Sequence, residues 1–180
     1  MIQYSQDTGE QFFQTIQVLE KRKRIEMKKI IKATDSFNVV VDYAKSFDKM
    51  IEEGKFKFTG NVTSKSFPLK GKGKVAKGLV LLKCLGGVTT DDLLAHMKKN
   101  EMKPAKIEDM LAFVKANLNS DTPPFRVIAM GSNARSKKKI MVEYSFNWHQ
   151  NCHEQSISIV GCASSNRIID CSYRFLVRRK

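Results

Sequence analysis

The chain has 180 residues, a formal net charge of +14 and 42% hydrophobic residues, with eleven Phe. That is enough apolar material for one domain with a core, which excludes wholesale disorder. No run approaches the roughly 18 apolar residues of a membrane span, and the opening MIQYSQDTGEQ lacks the pattern of a secretory signal. A cytoplasmic protein is therefore expected, in which the sequon at Asn61 carries no meaning.

Residues 10–32 read as a helix, with Phe12, Phe13, Ile16 and Leu19 at helical spacing and Lys and Arg between them. Lys21 to Arg24 fit a solvated helix face, the other reading being a nucleic-acid or targeting patch. Met27 opens MKKIIK like a second start, so residues 1–32 are taken as a helical extension. In FNVVVDY, Phe37, Val39 and Val41 alternate as in a strand. A short helix follows, capped by Ser46, with Phe47, Met50 and Ile51 on one face and Gly54 at its end. Residues 56–85 read as strand, turn, strand, and 33–84 are taken as a small α+β lead-in segment. Its KGKGK centre lacks both the GxxxxGK[ST] spacing and the following helix of a phosphate loop.

The last domain, 85–180, begins with two helices. Thr89 and Asp92 have the spacing of a capping box before Leu93, Leu94 and Met97. In the second helix Pro104 suits the first turn, and Ile107, Met110, Leu111 and Val114 form one apolar stripe. Glu108 and Asp109 early and Lys115 late suit the helix dipole. Four runs of strand composition follow: FRVIAM, KIMVEYSF, SISIV and CSYRFLV. In KIMVEYSF, Ile140, Val142, Tyr144 and Phe146 share a face. In CSYRFLV, Tyr173, Phe175 and Val177 face the core, with Arg174, Leu176 and Arg178 opposite.

Catalytic signatures such as GxSxG and HExxH do not occur, and no enzyme is expected. Cys84, Cys152, Cys162 and Cys171 form no CxxC pair and are expected as reduced thiols. His149, Cys152 and His153 are the one dense group of potential ligands, but their spacing fits no zinc pattern, so neither metal nor cofactor is expected. The charge of +14 attracts phosphate backbones or anionic surfaces, or serves solubility. From Ser156 to Arg179 there is no Lys, Glu, Gln, Met or Trp, although the rest of the chain is rich in Lys.

In order along the chain, VDYAKSFDKMIEEGKF, FPLKGKGKV, MKPAKIEDMLAF, FRVIAMGS and YRFLVRRK resemble hypothetical proteins of candidate-phylum bacteria, over about residues 38–180. Those are similar to variable proteins of diversity-generating retroelements, whose C-terminal part is a C-type-lectin-like domain related to the formylglycine-generating-enzyme fold. KPAKIEDMLAF stands where such domains carry a proline-led helix, MGS where they carry a Gly-Gly-Ser turn, and YRFLVRR where they end in a Gly-Phe-Arg strand. The resemblance implies an α+β fold with two helices and an antiparallel sheet. It also implies that a reverse transcriptase rewrites adenines in a template copy, chiefly in AAC codons. Such substitution never yields Lys, Glu, Gln, Met or Trp, the set absent from Ser156 to Arg179.

The implied variable ligand-binding face comprises Asn147, His149, Asn151, His153, Ser164, Ser165, Asn166, Arg167, Asp170, Ser172 and Tyr173, with Trp148, Gln150, Glu154 and Gln155 as framework. The chain departs from the family in its single Trp, in few Tyr on that face, and in the more basic ending LVRRK. The implied function is non-enzymatic binding of a protein or other macromolecule. The alternative is a nucleic-acid-binding accessory protein acting through the basic runs 20–32 and 135–139. An oxidase of the sulfatase-modifying or ergothioneine type, related through the fold, would need a copper or iron ligand set that the sequence does not offer.

Overall fold

The computed structural model describes residues 30–117, 126–133, 139–149, 152–162, 168–169 and 171–179. The expected N-terminal helix lies outside them except for residues 30–32, which are strand. Strand β1 (Ile30–Asp42) pairs antiparallel with β2 (Lys74–Leu85) along its whole length, from Ile30 opposite Leu85 to Asp42 opposite Lys74. The sequence reading starts this strand at Phe37, where the apolar alternation begins, and residues 32–36 before it are exposed. Pairing with the apolar β2 carries the strand through them regardless of local propensity.

Helix α1 (Phe47–Glu53) begins as expected, with Ser46 Oγ accepting the Lys49 N–H at 3.1 Å, and buries Phe47 and Met50. Between α1 and β2 the expected first strand does not form. Residues 57 and 58 instead lie along the outer edge of strand β7 (Cys152–Cys162), with Lys57 N donating to Gln155 O at 2.8 Å and Ile157 N to Phe58 O at 3.0 Å. Turns from Gly60 onward then end the pairing and tuck Val62 and Phe67 into the core, where Phe67 stacks on Phe47.

After β2 come β3 (Val88–Thr89), α2 (Thr90–Lys99), β4 (Met102–Pro104) and α3 (Ile107–Ala116). The expected capping box is present: Thr89 Oγ1 accepts from Asp92 N at 3.2 Å, and Asp92 Oδ2 accepts from Thr89 N at 3.0 Å. Pro104 is not in the first turn of α3. It closes β4, opposite Val177, and the helix starts three residues later. The stripe Ile107, Met110, Leu111 and Val114 is buried as expected.

Strands β5 (Arg126–Asn133), β6 (Lys139–His149) and β7 form an antiparallel meander. Strand β8 (Ile168–Ile169) pairs with β3, and β9 (Tyr173–Arg179) inserts between β2 and β5, antiparallel to the first and parallel to the second. The sheet order is β1-β2-β9-β5-β6-β7, with β4 also on β9. The architecture is α+β, a mostly antiparallel mixed sheet with α1 and α3 on one face and α2 on the other. The lead-in strands β1 and β2 share the sheet, and the core, with the C-terminal strands.

Each face has its own core. Val39, Val41, Leu79, Leu81, Val127, Val142 and Ile157 pack under α1 and α3, while Val80, Leu82, Ile128, Met141, Phe175 and Val177 pack with Leu93 and Met97 of α2. Burying one such side chain stabilises by about 1.5–3 kcal/mol. Burial pushes the Cys84 thiol up to about 11 and the Tyr144 hydroxyl up to about 12.

The alternation expected in β9 is present, but both of its faces are covered. Leu176 belongs to the α3 core. Arg178, on the same side, lies over the fully buried Asp109, with Nε 3.3 Å from Oδ2 but out of line for a hydrogen bond. Asp109 also accepts from Lys77 Nζ at 2.7 Å and from the Lys106 backbone N–H at 2.7 Å. Burial opposes the charge on Lys77, but its hydrogen bonds to Asp109 and Tyr43 outweigh burial and raise its pKa above the ordinary lysine value.

Candidate ligand-binding face

Because β5 and β9 are parallel, both start at the same end of the sheet, where Arg126 lies opposite Tyr173. The last residues of β6 and the first of β7 reach the same end, with Arg126 opposite Ser145 and Ser145 opposite Ser156. Phe58 bridges to Ser156 from outside. Directly opposed residues share a face. Tyr173, Arg126, Ser145, Ser156 and Phe58 therefore form one row across five adjacent segments, about 19 Å long at the usual strand spacing.

The row continues the face that α2 packs against. Two residues along each strand, Phe175 and Ile128 are buried in the α2 core, and Met141 lies deeper on β6. Toward the row the apolar packing stops. Arg126 and Phe58 are exposed, and Tyr173, Ser145, Ser156 and Ser158 are half-buried. Arg126 is held from two sides: Nη1 donates to the Tyr173 hydroxyl at 3.2 Å, and Nε lies 3.6 Å from Oε1 of the buried Glu143. Its guanidinium carbon also stands 5.7 Å from the Tyr173 ring centroid. The Ser145 and Ser156 hydroxyls are 2.6 Å apart. The row thus offers an oriented guanidinium, a phenol, two hydroxyls and an exposed aromatic ring, which suits hydrogen bonding and stacking with a bound partner.

The sequence-expected residues fall into three groups. Asn147 and His149 continue β6 two and four positions beyond Ser145, and His153 lies in the facing part of β7; Asn147 is opposite Glu154, Trp148 opposite His153 and His149 opposite Cys152. This hairpin extends past the row by about 13 Å at the rise of a strand. Ser172, exposed in the turn before β9, and Tyr173 lie at the same end of the sheet. Asn151, Ser164, Ser165, Asn166, Arg167 and Asp170 lie outside the described residues.

Sequence reasoning missed Arg126, Ser145, Ser156, Ser158 and Phe58. The available signal was the second face of KIMVEYSF and SISIV, where Glu143, Ser145, Ser156 and Ser158 alternate with apolar residues. Of the expected framework residues, Gln155 is buried and its Oε1 accepts from the Tyr144 hydroxyl at 3.4 Å. Among the described residues no group of three or more His, Cys, Asp or Glu could hold a metal ion, and no helix is long and apolar enough to cross a membrane. Set against known protein families, curated proteins and solved structures, the chain matches none of them.

Proposed function

We propose that the chain is a non-enzymatic binding protein with a C-type-lectin-like domain, whose ligand face is the row from Tyr173 to Phe58 together with the β6–β7 hairpin, and that a retroelement diversifies the part of this face that lies within residues 131–180, with Arg126 and Phe58 as invariant neighbours. The observation that carries the reading is the meeting of three sequence fragments similar to the retroelement family. The start of KPAKIEDMLAF, the segment MGS at the irregularity in β5 and the strand YRFLVRR lie far apart in sequence and touch at one point. Ser132 Oγ accepts the Ile107 N–H at 2.6 Å, Gly131 N donates to Ala105 O at 2.7 Å, and Ala105 N donates to Leu176 O at 3.1 Å. Arg178 and Asp109 then join the strand to the helix by charge. Fragments that meet in this way support the reading, since a unit inherited from one family would keep its contacting parts together.

The division of labour between faces also supports the reading. Residues at the end of a rigid sheet can change without touching the core. Gln155, which adenine substitution in an AAC codon cannot produce, is buried, whereas Ser172 is exposed.

The test is the DNA around the gene. The reading expects a near-repeat of the stretch encoding residues 131–180, differing from it only at adenines and lying close to a reverse transcriptase gene. Differences at other bases, or no such repeat, overturn it.

A further inference from the structure

The opposite end of the sheet has a different character. There β2 begins at Lys74, β9 ends and β4 pairs with it, with Lys103 opposite Arg178. The loop before β2, Lys70-Gly71-Lys72-Gly73-Lys74, folds onto Tyr43. Tyr43 N donates to Gly73 O at 2.8 Å, and a Cβ on Gly71 would stand 2.3 Å from the Tyr43 ring. The Tyr43 hydroxyl in turn accepts from Lys77 at 2.8 Å and donates to Glu108 Oε1 at 3.4 Å. The lysine loop therefore sits beside the charged cluster at the start of α3.

Within that cluster the carboxylates are already engaged. Asp109 is enclosed by Lys77 and Arg178, and Glu108 lies 3.7 Å from Lys106 Nζ. Lys70, Lys72, Lys74 and Lys103 are exposed, and among the described residues none has a carboxylate partner. At Gly73, where φ is +66°, a Cβ would meet nothing within 4 Å, so the loop backbone is open to close approach by an anion. We infer that this end binds the phosphate backbone of nucleic acid, with Lys70, Lys72, Lys74, Lys103 and Lys106 as its contacts.

A nucleic acid fits better than an anionic membrane. Stable membrane docking by a basic surface draws on large apolar side chains that enter the bilayer. Among the described residues the exposed large apolar side chains are Val40, Phe58 and Val75. Phe58 is at the far end of the sheet, and the two valines offer little to insert. The surface is also independent of the ligand face, so either assignment can fail alone.

The experiment measures binding of the full chain to a fluorescent duplex DNA of mixed sequence and to a single-stranded RNA, across a series of salt concentrations. Each phosphate contact contributes about 0.9 to the slope of log affinity against log salt for duplex DNA. The combined K70A/K72A/K74A variant should reduce that slope by about 2.7, and K103A/K106A by about 1.8. Among the described residues the exposed lysines of the first variant hold no carboxylate partner, and its thermal melt should overlay that of the parent.

Two comparison variants keep the outcome decisive. One removes Lys49, Lys55 and Lys65, and the other removes the run Lys21 to Arg24. An equal loss of slope in the first means that net charge alone attracts the nucleic acid. A slope carried entirely by the second moves the site to the N-terminal run. Binding to vesicles containing phosphatidylserine, with none to DNA or RNA, identifies a membrane surface. Each of these three results overturns the inference.

Discussion

On one face of the sheet, α1 and α3 cover the strands from Val39 to Ile157, and even Glu108 and Asp109 are buried there among partners of opposite charge. On the other face, packing by α2 reaches Ile128 and Met141 but stops short of Arg126 and Ser145, and the uncovered strands carry hydroxyls, a guanidinium and rings. Both faces belong to the same strands and differ by a single step of alternation. Stability and recognition can therefore be altered separately, because neighbouring residues along one strand answer to different demands.

That contrast is sharpest at Asp109. Asp109→Ala leaves Lys77 and Arg178 without their shared carboxylate, a loss expected to cost about 3–5 kcal/mol, read from urea denaturation. A cost below about 1 kcal/mol, in the range of an exposed pair, would erase the difference between the faces. Gly131→Ala comes next. Its Cβ would stand 2.4 Å from Pro104 O and 2.7 Å from Ala105 O, both backbone atoms, and overpacking of this kind costs about 1–3 kcal/mol. Ser132→Ala removes the hydroxyl that accepts the Ile107 N–H and should cost about 1 kcal/mol, as loss of a helix cap does.

A smaller effect depends on pH. The folded-state pKa of Lys77 is raised above 10.5, so its contribution is complete below that pH and is lost as pH rises through the folded value. Denaturation midpoints should fall in this alkaline window. Lys77→Arg, which keeps its charge there, should flatten the fall, and an unchanged fall would assign it to other groups. On the recognition face, Phe58→Ser should shift stability by no more than about 0.5 kcal/mol, since Phe58 is 61% exposed. A loss comparable with that at Gly131 would mean that the row serves packing after all.

The sequence made local features legible and distant pairings illegible. The Thr89–Asp92 box and the stripe from Ile107 to Val114 depend on residues within two turns of one another, and both are present. The alternation of β9 was readable, but the second core beneath Leu176 was not, because it depends on which helices cover the sheet. The side on which Arg178 lies was readable, but its pairing with Asp109 was not, because that residue comes from another element. Pro104 carried a helix-start pattern that pairing with Val177 overrode. At the candidate face, Ser172 and Tyr173 are named only through the family resemblance. Arg126, Ser145 and Ser156 became neighbours only through strand register, which the alternation of one strand does not specify.

The insertion of β9 between β2 and β5 also bears on how the molecule folds. Among the described residues, β9 is the strand that links the β1–β2 pair to the β5–β6–β7 meander in the sheet. The meander can assemble from strands close in sequence, but the gap between the two blocks closes only when residues 173–179 arrive. Contacts of such long sequence separation form slowly, because loop closure precedes any gain from packing. Until then the facing edges of β2 and β5 remain open to other chains, and this interval is when aggregation is most favoured. Substitutions that weaken the docking of Phe175 or Leu176 should therefore lengthen that interval and lower the yield of refolding at high protein concentration.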